Sequence, residues 1–418
     1  MSAGDVQEVD VAIVGAGGAG LSLVLHLDHL LRADPGRTVP TVALVDPVHR
    51  AGDDRTWCFW DDHAVANRPI EPVVHRSWTR ADIISPRGER QLLDLAPLRY
   101  AMVLSSEFYR HAELAVQRLG VRRVTAPGLV TDGPDRALVQ TPDGGRIRAR
   151  WVFDSRPVAP ARPAATSLLL HFRGWTVRFP EPVLDPDRPT LMDFTTPQPA
   201  NGVSFGYVLP LAADRGLVEY NEFSPARLSD RDYDRAMRDL LVSSYGEAGR
   251  QATIEAVEDG ALPMTDARFD RRAGHRVFRI GTAGGATRGS TGYAFAAIQR
   301  QSAAVAEALL AGREPLPPAA YPARHRWMDA VLLRVLDRNL TDRAELFVRL
   351  FGRNPPHRML RFLDGDTSFG EELALMASSP QWPMIRAATQ DALWRLAHPR
   401  PRSSGQFWGR RTGVSPEN

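Results

Sequence analysis

The chain opens with an apolar, mostly β-branched run at 9–14, which predicts a buried parallel strand. After a glycine-rich stretch at 15–20, apolar residues recur at helical spacing over 21–31, and Asp34-Pro35-Gly36 marks the end of the predicted helix. A second β-branched run over 41–45 predicts another strand. Because strand, glycine turn, helix and strand follow in this order, the N-terminal segment predicts one βαβ unit.

The turn between the first strand and the helix has the spacing of a dinucleotide-binding fingerprint, with Gly15, Gly17 and Gly20 around Ala16. The first glycine permits the tight turn, the second lets the backbone approach a pyrophosphate, and the third lets the helix pack on the strand. Asp46 closes the second strand, where an acid accepts hydrogen bonds from ribose hydroxyls. The alternative is a glycine-rich turn in an unrelated α/β protein. The strand and helix on either side favour dinucleotide binding, with Ala16 among the cofactor contacts.

The order of the later segments favours FAD over NAD as the dinucleotide. An open doubly wound NAD domain would continue with alternating strands and helices. Here short strands and tryptophans follow over 55–100, and a long set of strands follows over 166–224. A late strand at 277–280 leads into Gly281-Thr282-Ala283-Gly284 and a further helix over 292–310. These four residues are predicted to bring backbone N–H groups to the flavin cofactor.

We therefore predict an α/β fold in which a doubly wound FAD-binding domain is interrupted by a second lobe. The cofactor domain is predicted to comprise residues 1–160 and 270–312, with a β-rich substrate lobe at 161–269 between its halves. A helical region is predicted at 313–398. The residues at 399–418 are rich in Pro, Arg and Gly and are predicted to form a flexible tail.

The composition narrows the chemistry because all 52 residues counted as Lys or Arg are arginines. Without lysine, the chain has neither a Schiff-base residue for pyridoxal phosphate nor a P-loop lysine for a nucleoside triphosphate. The formal net charge is only +3 at pH 7, which is weak support for nucleic-acid binding. No apolar run approaches the roughly 20 residues of a membrane span, and the single Cys58 suits a reducing cytoplasm.

Several strings of residues resemble the lycopene cyclase family of flavoproteins, particularly its soluble bacterial members. The most specific are Thr56-Trp57-Cys58-Phe59-Trp60 and Ser290-Thr291-Gly292-Tyr293, and others lie at 192–194, 205–210 and 217–220. The resemblance implies a fold shared with FAD enzymes related to glutathione reductase. It also implies an isomerase that closes the acyclic ends of lycopene into β-rings with reduced FAD and without net redox change. NAD(P)H is then the expected source of electrons.

The resemblance assigns the proton-handling role to Glu219, which occupies the position of the family's proposed catalytic glutamate. Burial raises the pKa of a carboxyl, and a carboxyl that stays neutral near pH 7 can protonate an alkene. The alternative is a surface acid on an edge strand, and the alternation along 217–222 does not separate the two. Asp193 and Glu222 are the other candidate catalytic acids. Asp193 would remove the final proton, support Glu219, or cap a turn before Thr195.

The sequence leaves other isoprenoid-processing functions open. Asn221 replaces the family's threonine, and Gly289 stands where a proline commonly precedes the Ser-Thr-Gly-Tyr string, which leaves room for an altered substrate. The main alternative is a flavin monooxygenase or reductase that acts on another long isoprenoid. Thr282 stands where monooxygenases usually carry an acid, which disfavours that class. A carotenoid carrier with structural FAD is the non-enzymatic alternative.

Aromatic and basic residues suggest two further roles. Trp57, Phe59 and Trp60 either shield a carbocation, since aromatic faces attract positive charge, or form ordinary core. The segment 324–362 interleaves apolar residues with nine arginines and four acids, as in a basic amphipathic helix on anionic lipid. Its alternative is a helix packed on the protein itself. The expected partner is a linear carotene delivered from a membrane, which predicts a cytoplasmic protein, peripheral at most on the inner membrane face.

Overall fold

The structure, a computed structural model, describes residues 6–160 and 163–398, so the tail predicted at 399–418 lies outside the described residues. The strands are β1 (Val6–Val14), β2 (Val42–Val45), β3 (Thr56–Asp61), β4 (Arg76–Trp78), β5 (Arg80–Ile84), β6 (Arg90–Asp94), β7 (Arg99–Leu104), β8 (Arg122–Val124), β9 (Leu129–Thr131), β10 (Ala137–Gln140), β11 (Arg146–Asp154), β12 (Ser167–Arg178), β13 (Thr190–Asp193), β14 (Val203–Pro210), β15 (Arg215–Ser224), β16 (Thr253–Thr265) and β17 (Val277–Arg279). The helices are α1 (Gly18–Ala33), α2 (Ser105–Arg118), α3 (Asp230–Arg250), α4 (Phe295–Leu310), α5 (Ala323–Asp337), α6 (Arg343–Arg353), α7 (Pro356–Asp364), α8 (Phe369–Ser378) and α9 (Gln381–Ala397). Short 3₁₀ segments lie at Val65–Val73 and Gly281–Gly284.

The first sheet contains the predicted βαβ unit. β1 pairs in parallel with β2 and β11, while β2 pairs with β8 and β11 with β17 in the same direction. Val11, Ile13 and Leu44 are buried on the face that packs against α1, α2 and α4. The fold is therefore mixed α/β, and the carboxyl ends of β1, β11 and β17 lie side by side.

The opposite face of this sheet differs from the doubly wound expectation. Its buried residues come from strands, and Val14, Val45 and Val139 meet at one point above Gly128. β10 pairs antiparallel with both β9 and β11, so these three strands form a meander. Within the described residues this sheet has helices on one face and strands on the other, whereas a doubly wound sheet has helices on both faces.

The second sheet has the order β16-β12-β15-β14-β13-β5-β6. Its neighbours are antiparallel except for the parallel pair β13 and β5. β5 and β6 lie inside the segment 1–160 that is assigned above to the cofactor domain, so this sheet crosses the predicted boundary. One face packs on α3 through Trp175, Tyr220 and Tyr233, and the other face turns toward the C-terminal helices.

Helices α5 to α9 form the predicted helical region. Helices α5, α6 and α7 pack on the second sheet, while α8 packs on α6 and α9 on α5. Val331 and Leu336 of α5 and Phe347 and Phe351 of α6 are buried in one core with strand residues. The segment 324–362 therefore packs on the protein's own body, as its alternative interpretation holds. The hypothesis that this segment lies on lipid through its apolar side chains is wrong, because these side chains face the protein interior.

Candidate active site

The glycine fingerprint forms a tight turn at the carboxyl end of β1. Gly15 has a φ of +103°, and a Cβ at this position would lie 2.1 Å from Oγ of Ser155. A Cβ on Gly20 would lie 2.0 Å from the Gly15 carbonyl oxygen, whereas one on Gly17 would meet no protein atom within 4 Å. The first and third positions of the fingerprint must therefore be glycine, because any larger side chain would overlap neighbouring protein atoms. Gly17 instead faces open space at the N-terminus of α1, where partial positive charge favours an anion.

Two further segments meet at this turn. One carboxylate oxygen of Asp46 accepts a hydrogen bond from the Ala16 N–H at 2.6 Å. The 3₁₀ turn at 281–284 follows β17, and a Cβ on Gly281 would lie 2.7 Å from the Cβ of Ala19, so this turn packs on the start of α1. The residues predicted to bind the cofactor, at 15–20, 46 and 281–284, thus come together at one edge of the sheet.

A cavity of about 550 Å³ begins at these turns and extends to the second sheet. Gly17 and Thr282 line it on the side of the first sheet, and Glu219 lines it on the side of the second. Aromatic side chains supply much of the wall between them: Trp57, Trp60, Tyr100, Phe172, Phe205, Tyr207, Phe223, Tyr293, Phe295 and Phe347. A cofactor held at the glycine turns and an apolar molecule that reaches Glu219 would therefore share one space.

Glu219 lies in the middle of β15 and borders this cavity. Strand alternation places Glu219, Asn221 and Phe223 on the cavity side, and Tyr220 on the side of α3. Glu219 is 8% exposed, and Nδ2 of Asn221 donates a hydrogen bond to its Oε2 at 3.1 Å. Burial, followed by the negative charge of Glu258, raises the pKa of Glu219 well above its usual range. Both effects favour the protonated form of Glu219, which borders an aromatic-walled cavity.

The structure does not bring the other two predicted acids to the cavity wall. Glu222 lies on the α3 side of β15, where it accepts a hydrogen bond from the Tyr220 hydroxyl at 3.1 Å. Asp193 ends β13 and accepts hydrogen bonds from the backbone N–H and the hydroxyl of Thr195, at 3.0 and 2.7 Å. These contacts correspond to the turn-capping alternative for Asp193. Of the three predicted acids, Glu219 is the one that lines the cavity.

A second carboxyl, absent from the predicted set, lies beside Glu219. β12 runs between β15 and β16, and its Gly174 pairs with both Glu219 and Glu258. A Cβ on Gly174 would lie 3.0 Å from Cγ of Glu219 and 3.1 Å from Cγ of Glu258, so the two side chains converge over the glycine. The two carboxyls influence each other's pKa, and the Thr56 hydroxyl donates a hydrogen bond to Glu258 at 3.1 Å. The local signal for this pair is a glycine inside a strand, which often marks a close approach.

The predicted aromatic shields divide between cavity and core. Trp57 stacks on Phe295 with centroids 5.4 Å apart, close to the glycine turn. Trp60 packs on Tyr100 with centroids 4.3 Å apart and lines the cavity. Phe59 is instead buried in the core of the first sheet and its helices. Two of the three aromatic residues can therefore face a bound molecule, and the third is structural.

Apart from Glu258, the polar groups that face Glu219 are hydroxyl, thiol and amide groups without a charge. The Tyr100 and Tyr207 hydroxyls are hydrogen-bonded to each other at 2.7 Å, and the Tyr293 hydroxyl lies 3.5 Å from the Tyr100 hydroxyl. Burial raises the pKa of all three phenols above the usual range and raises the pKa of Cys58 to about 12. Because these groups stay protonated near neutral pH, none of the four is a phenolate or thiolate that would capture a carbocation.

A buried ion pair holds the Ser290–Tyr293 string in place. Nε of Arg288 and Oγ of Ser290 donate to the same carboxylate oxygen of Asp329 on α5, at 3.0 and 2.7 Å. Gly292 has a φ of +75°, which glycine adopts without strain. The turn that follows delivers the Tyr293 ring to the cavity wall. The C-terminal helical region thus positions this part of the site.

Several solved structures share this fold, including a flavoprotein and a flavin-dependent brominase. A geranylgeranyl bacteriochlorophyll reductase-like protein from Thermoplasma acidophilum matches with a TM-score of 0.61 at 11% identity, over 91% of this chain and 99% of that one. A flavoprotein/dehydrogenase from Cytophaga hutchinsonii gives 0.60 at 12% identity, over 92% and 100%. The flavin-dependent brominase Bmp2 gives 0.59 at 14% identity, over 94% and 100%. At these identities the similarity concerns the fold.

Comparison of sequences identifies the family. No curated protein sequence matches the chain. The model of the family described as lycopene cyclase protein matches residues 10–389, nearly the whole chain. The matched range contains the glycine fingerprint, the Thr56–Trp60 string, Glu219 and the Ser290–Tyr293 string. The chain therefore belongs to the lycopene cyclase family.

Proposed function

We propose that this protein is a lycopene β-cyclase, an isomerase that closes the acyclic ends of lycopene into β-rings and so forms γ- or β-carotene. The observation that carries the proposal is one cavity that joins the glycine turns to the buried carboxyl of Glu219, whose pKa burial raises. Membership of the family supports a linear carotene as the substrate. Ring closure converts one isomer into another, so it needs a proton donor, a dry pocket and a proton acceptor, but no net oxidation.

FAD is the cofactor that we propose for the glycine turns. The open space at Gly17, the N-terminus of α1 and the carboxylate of Asp46 fit a pyrophosphate and an adenosine ribose. Reduced FAD, when bound, supplies an electron-rich ring that stabilises nearby positive charge without net redox change. NAD(P)H is the proposed source of its electrons.

Glu219 begins the proposed reaction by donating its proton to the terminal double bond of the substrate. The next double bond attacks the resulting tertiary cation and closes the ring, and a proton then leaves the carbon beside the new cationic centre. One proton is added and one is lost, so the product is an isomer of the substrate. Trp60, Phe205 and Tyr207 line the same cavity. Their faces would stabilise the cations by ~0.5–2 kcal/mol each while excluding water.

We expect the purified protein, loaded with FAD, to convert lycopene in lipid vesicles to cyclic carotenes under anaerobic conditions. Photoreduced FAD should support turnover and oxidised FAD should not, because the electron-rich ring is what stabilises the cation. Chromatography of the extracted pigments measures both outcomes. Equal activity with the two flavin states would contradict the role of FAD. Unchanged lycopene in both states, with protein that retains FAD, would contradict the proposed function.

A lipid bilayer is the proposed source of the substrate, because a carotene is insoluble in water. Among the described helices, none has the length and apolar character that crossing a bilayer requires. Large exposed apolar side chains are instead concentrated on α8 and α9, and we call this group the α8–α9 stripe: Phe369, Leu373, Trp382, Ile385, Leu393 and Leu396. α8 contacts α6, whose Phe347 and Phe351 line the cavity. The α8 part of the stripe thus lies one helix away from the cavity, as a surface that takes up substrate from lipid would, and α9 continues the stripe from its contact with α5.

Flotation with vesicles that contain anionic lipid tests the α8–α9 stripe. The double variant Trp382→Ser, Leu396→Ser should bind at least about tenfold less than the wild type, because burying a large apolar side chain contributes ~1.5–3 kcal/mol. The two side chains are 81% and 77% exposed, so the variant should fold. Leu129→Ser on β9, where the leucine is 65% exposed, is the matched control and should float like the wild type. Undiminished flotation of the double variant would contradict the proposal. If the wild type is a dimer in solution and the double variant is a monomer, the stripe is instead a contact between two copies of the chain.

A further inference from the structure

A buried pair of acids lies where the proposed protonation occurs, and sequence-based prediction names one of the two. We propose that Glu258 is a positioning residue that shares one acidic proton with Glu219 and holds this proton on Glu219, beside the cavity. The inference rests on the proposed function and adds the residue that sets the protonation state of its acid. Glu258 is not among the residues that line the cavity, so it acts through Glu219 and not on the substrate.

Gly174 makes this contact possible. Glu219 and Glu258 both pair with position 174, so they lie two strands apart in the sheet. Two strand spacings amount to about 9–10 Å, which is too far for direct contact if a side chain stands between the carboxyls. The missing side chain of Gly174 leaves the space into which both Cγ carbons lean, at 3.0 and 3.1 Å from the position a Cβ would occupy. The acidic pair is thus built by three strands.

The two carboxyls have different surroundings. The groups that face Glu219 from its own and neighbouring elements are uncharged near neutral pH, apart from Glu258 itself: Cys58, Tyr207, Asn221 and Tyr293. Glu258 is half-buried and accepts a hydrogen bond from the Thr56 hydroxyl, with the charged side chains of Arg55 and Asp53 nearby. Burial raises the pKa of Glu258 as well, but the Thr56 hydroxyl and Arg55 oppose this rise. Only the amide of Asn221 opposes it at Glu219, so we place the shared proton on Glu219.

Sharing one proton suits both halves of the proposed reaction. Before substrate reacts, the charge on Glu258 opposes ionisation of Glu219, because two adjacent carboxylates repel each other. Once Glu219 has given its proton to the alkene, the pair carries two negative charges, which favours uptake of a proton. The proton that leaves the carbon beside the cyclised cation returns to the pair, which exchanges it with water at the half-buried Glu258 before the next turnover. The pair then returns to its starting state with no net gain of protons.

The pH profile of cyclisation tests the pair. Wild-type activity should fall as the pH rises through the pKa of Glu219, because the acid must be protonated. Glu258→Gln removes the neighbouring charge, lowers that pKa and should move the alkaline limb to lower pH by roughly one unit or more. Glu258→Asp keeps the charge and should leave the limb close to its wild-type position. Glu255→Gln is the matched control, since Glu255 lies on the same strand, exposed, with Arg178 and Arg215 as its partners.

Infrared spectroscopy of the substrate-free holoprotein separates this inference from the proposed function. The C=O stretch of a protonated carboxyl, missing in Glu219→Gln, should titrate at lower pH in Glu258→Gln than in the wild type. If that variant fails to fold, Gly174→Ala places a methyl group between the carboxyls and should shift the titration in the same direction. Identical titration in the wild type and in a folded variant of either kind would overturn the pair. The expected shift in a protein that leaves lycopene unchanged would support the pair and overturn the proposed function.

Discussion

Glu219→Gln should lower the rate of ring closure by about 10²- to 10⁴-fold, the usual contribution of a general acid. Glutamine has the size of the carboxyl and its amide carbonyl can accept the hydrogen bond from Asn221, but it has no acidic proton for the alkene. Burial and the charge of Glu258 raise the pKa of Glu219. Wild-type activity should therefore persist at neutral pH. The variant should leave the lycopene of the vesicle assay largely unconverted at every pH tested.

Glu222→Gln provides the control for this experiment. Glu222 is buried on the same strand but on the α3 side, where the Tyr220 hydroxyl donates to it. Glutamine can accept that hydrogen bond, so both folding and turnover should stay close to wild type. A Glu219→Gln protein that binds FAD and retains most of its activity would contradict the assigned role. Equal losses in the two variants would show that stability, and not proton donation, is being measured.

Gly17→Val should yield a folded protein that retains FAD poorly. Gly17 has φ −88° and ψ −166°, which valine adopts, and its Cβ would meet no protein atom within 4 Å. The new side chain would occupy the space that we assign to the pyrophosphate and block its hydrogen bonds to the backbone. A hydrogen bond to a charged group contributes about 1.5–3 kcal/mol, so FAD affinity should fall by about 10- to 100-fold. Flavin absorbance of the protein titrated with FAD measures the change.

Gly52→Val is the matched control, because Gly52 is exposed and a Cβ there would also meet no protein atom within 4 Å. This variant should fold and bind FAD like the wild type. Unchanged FAD affinity in Gly17→Val would contradict the proposal that FAD binds at the glycine turn. A thermal midpoint that falls in Gly17→Val as far as its affinity does would assign the effect to folding.

The features of the site that lie within short segments are predictable from the sequence. The glycine fingerprint is a local device, since the strand, the turn and the helix that give Gly15 and Gly20 their roles are contiguous. The predicted strand at 41–45 and helix at 292–310 correspond to Val42–Val45 and Phe295–Leu310. Glu219 was selected by resemblance, because alternation along β15 does not tell which face meets the cavity.

The remaining features depend on which strands pair, and pairing is a long-range property. Glu258 meets Glu219 because β12 separates their strands and carries Gly174 at the shared register. In the same way, Glu222 turns away from the cavity because α3 packs on that side of the sheet. β5 and β6 join a sheet whose other strands come later in the chain, so a boundary drawn along the sequence at residue 161 cannot represent it.

If an exchangeable proton on Glu219 closes the ring, the product formed in D₂O must contain deuterium, and its mass shows whether it does. Wild-type protein with reduced FAD is incubated anaerobically in D₂O with vesicles that contain lycopene of natural isotopic composition. The carotenes are then separated, and their masses are determined by mass spectrometry. We expect one deuterium for each ring closed and otherwise the mass of lycopene. A cyclic product without deuterium, or one that differs from lycopene by added oxygen or by hydrogen gained or lost, would contradict it.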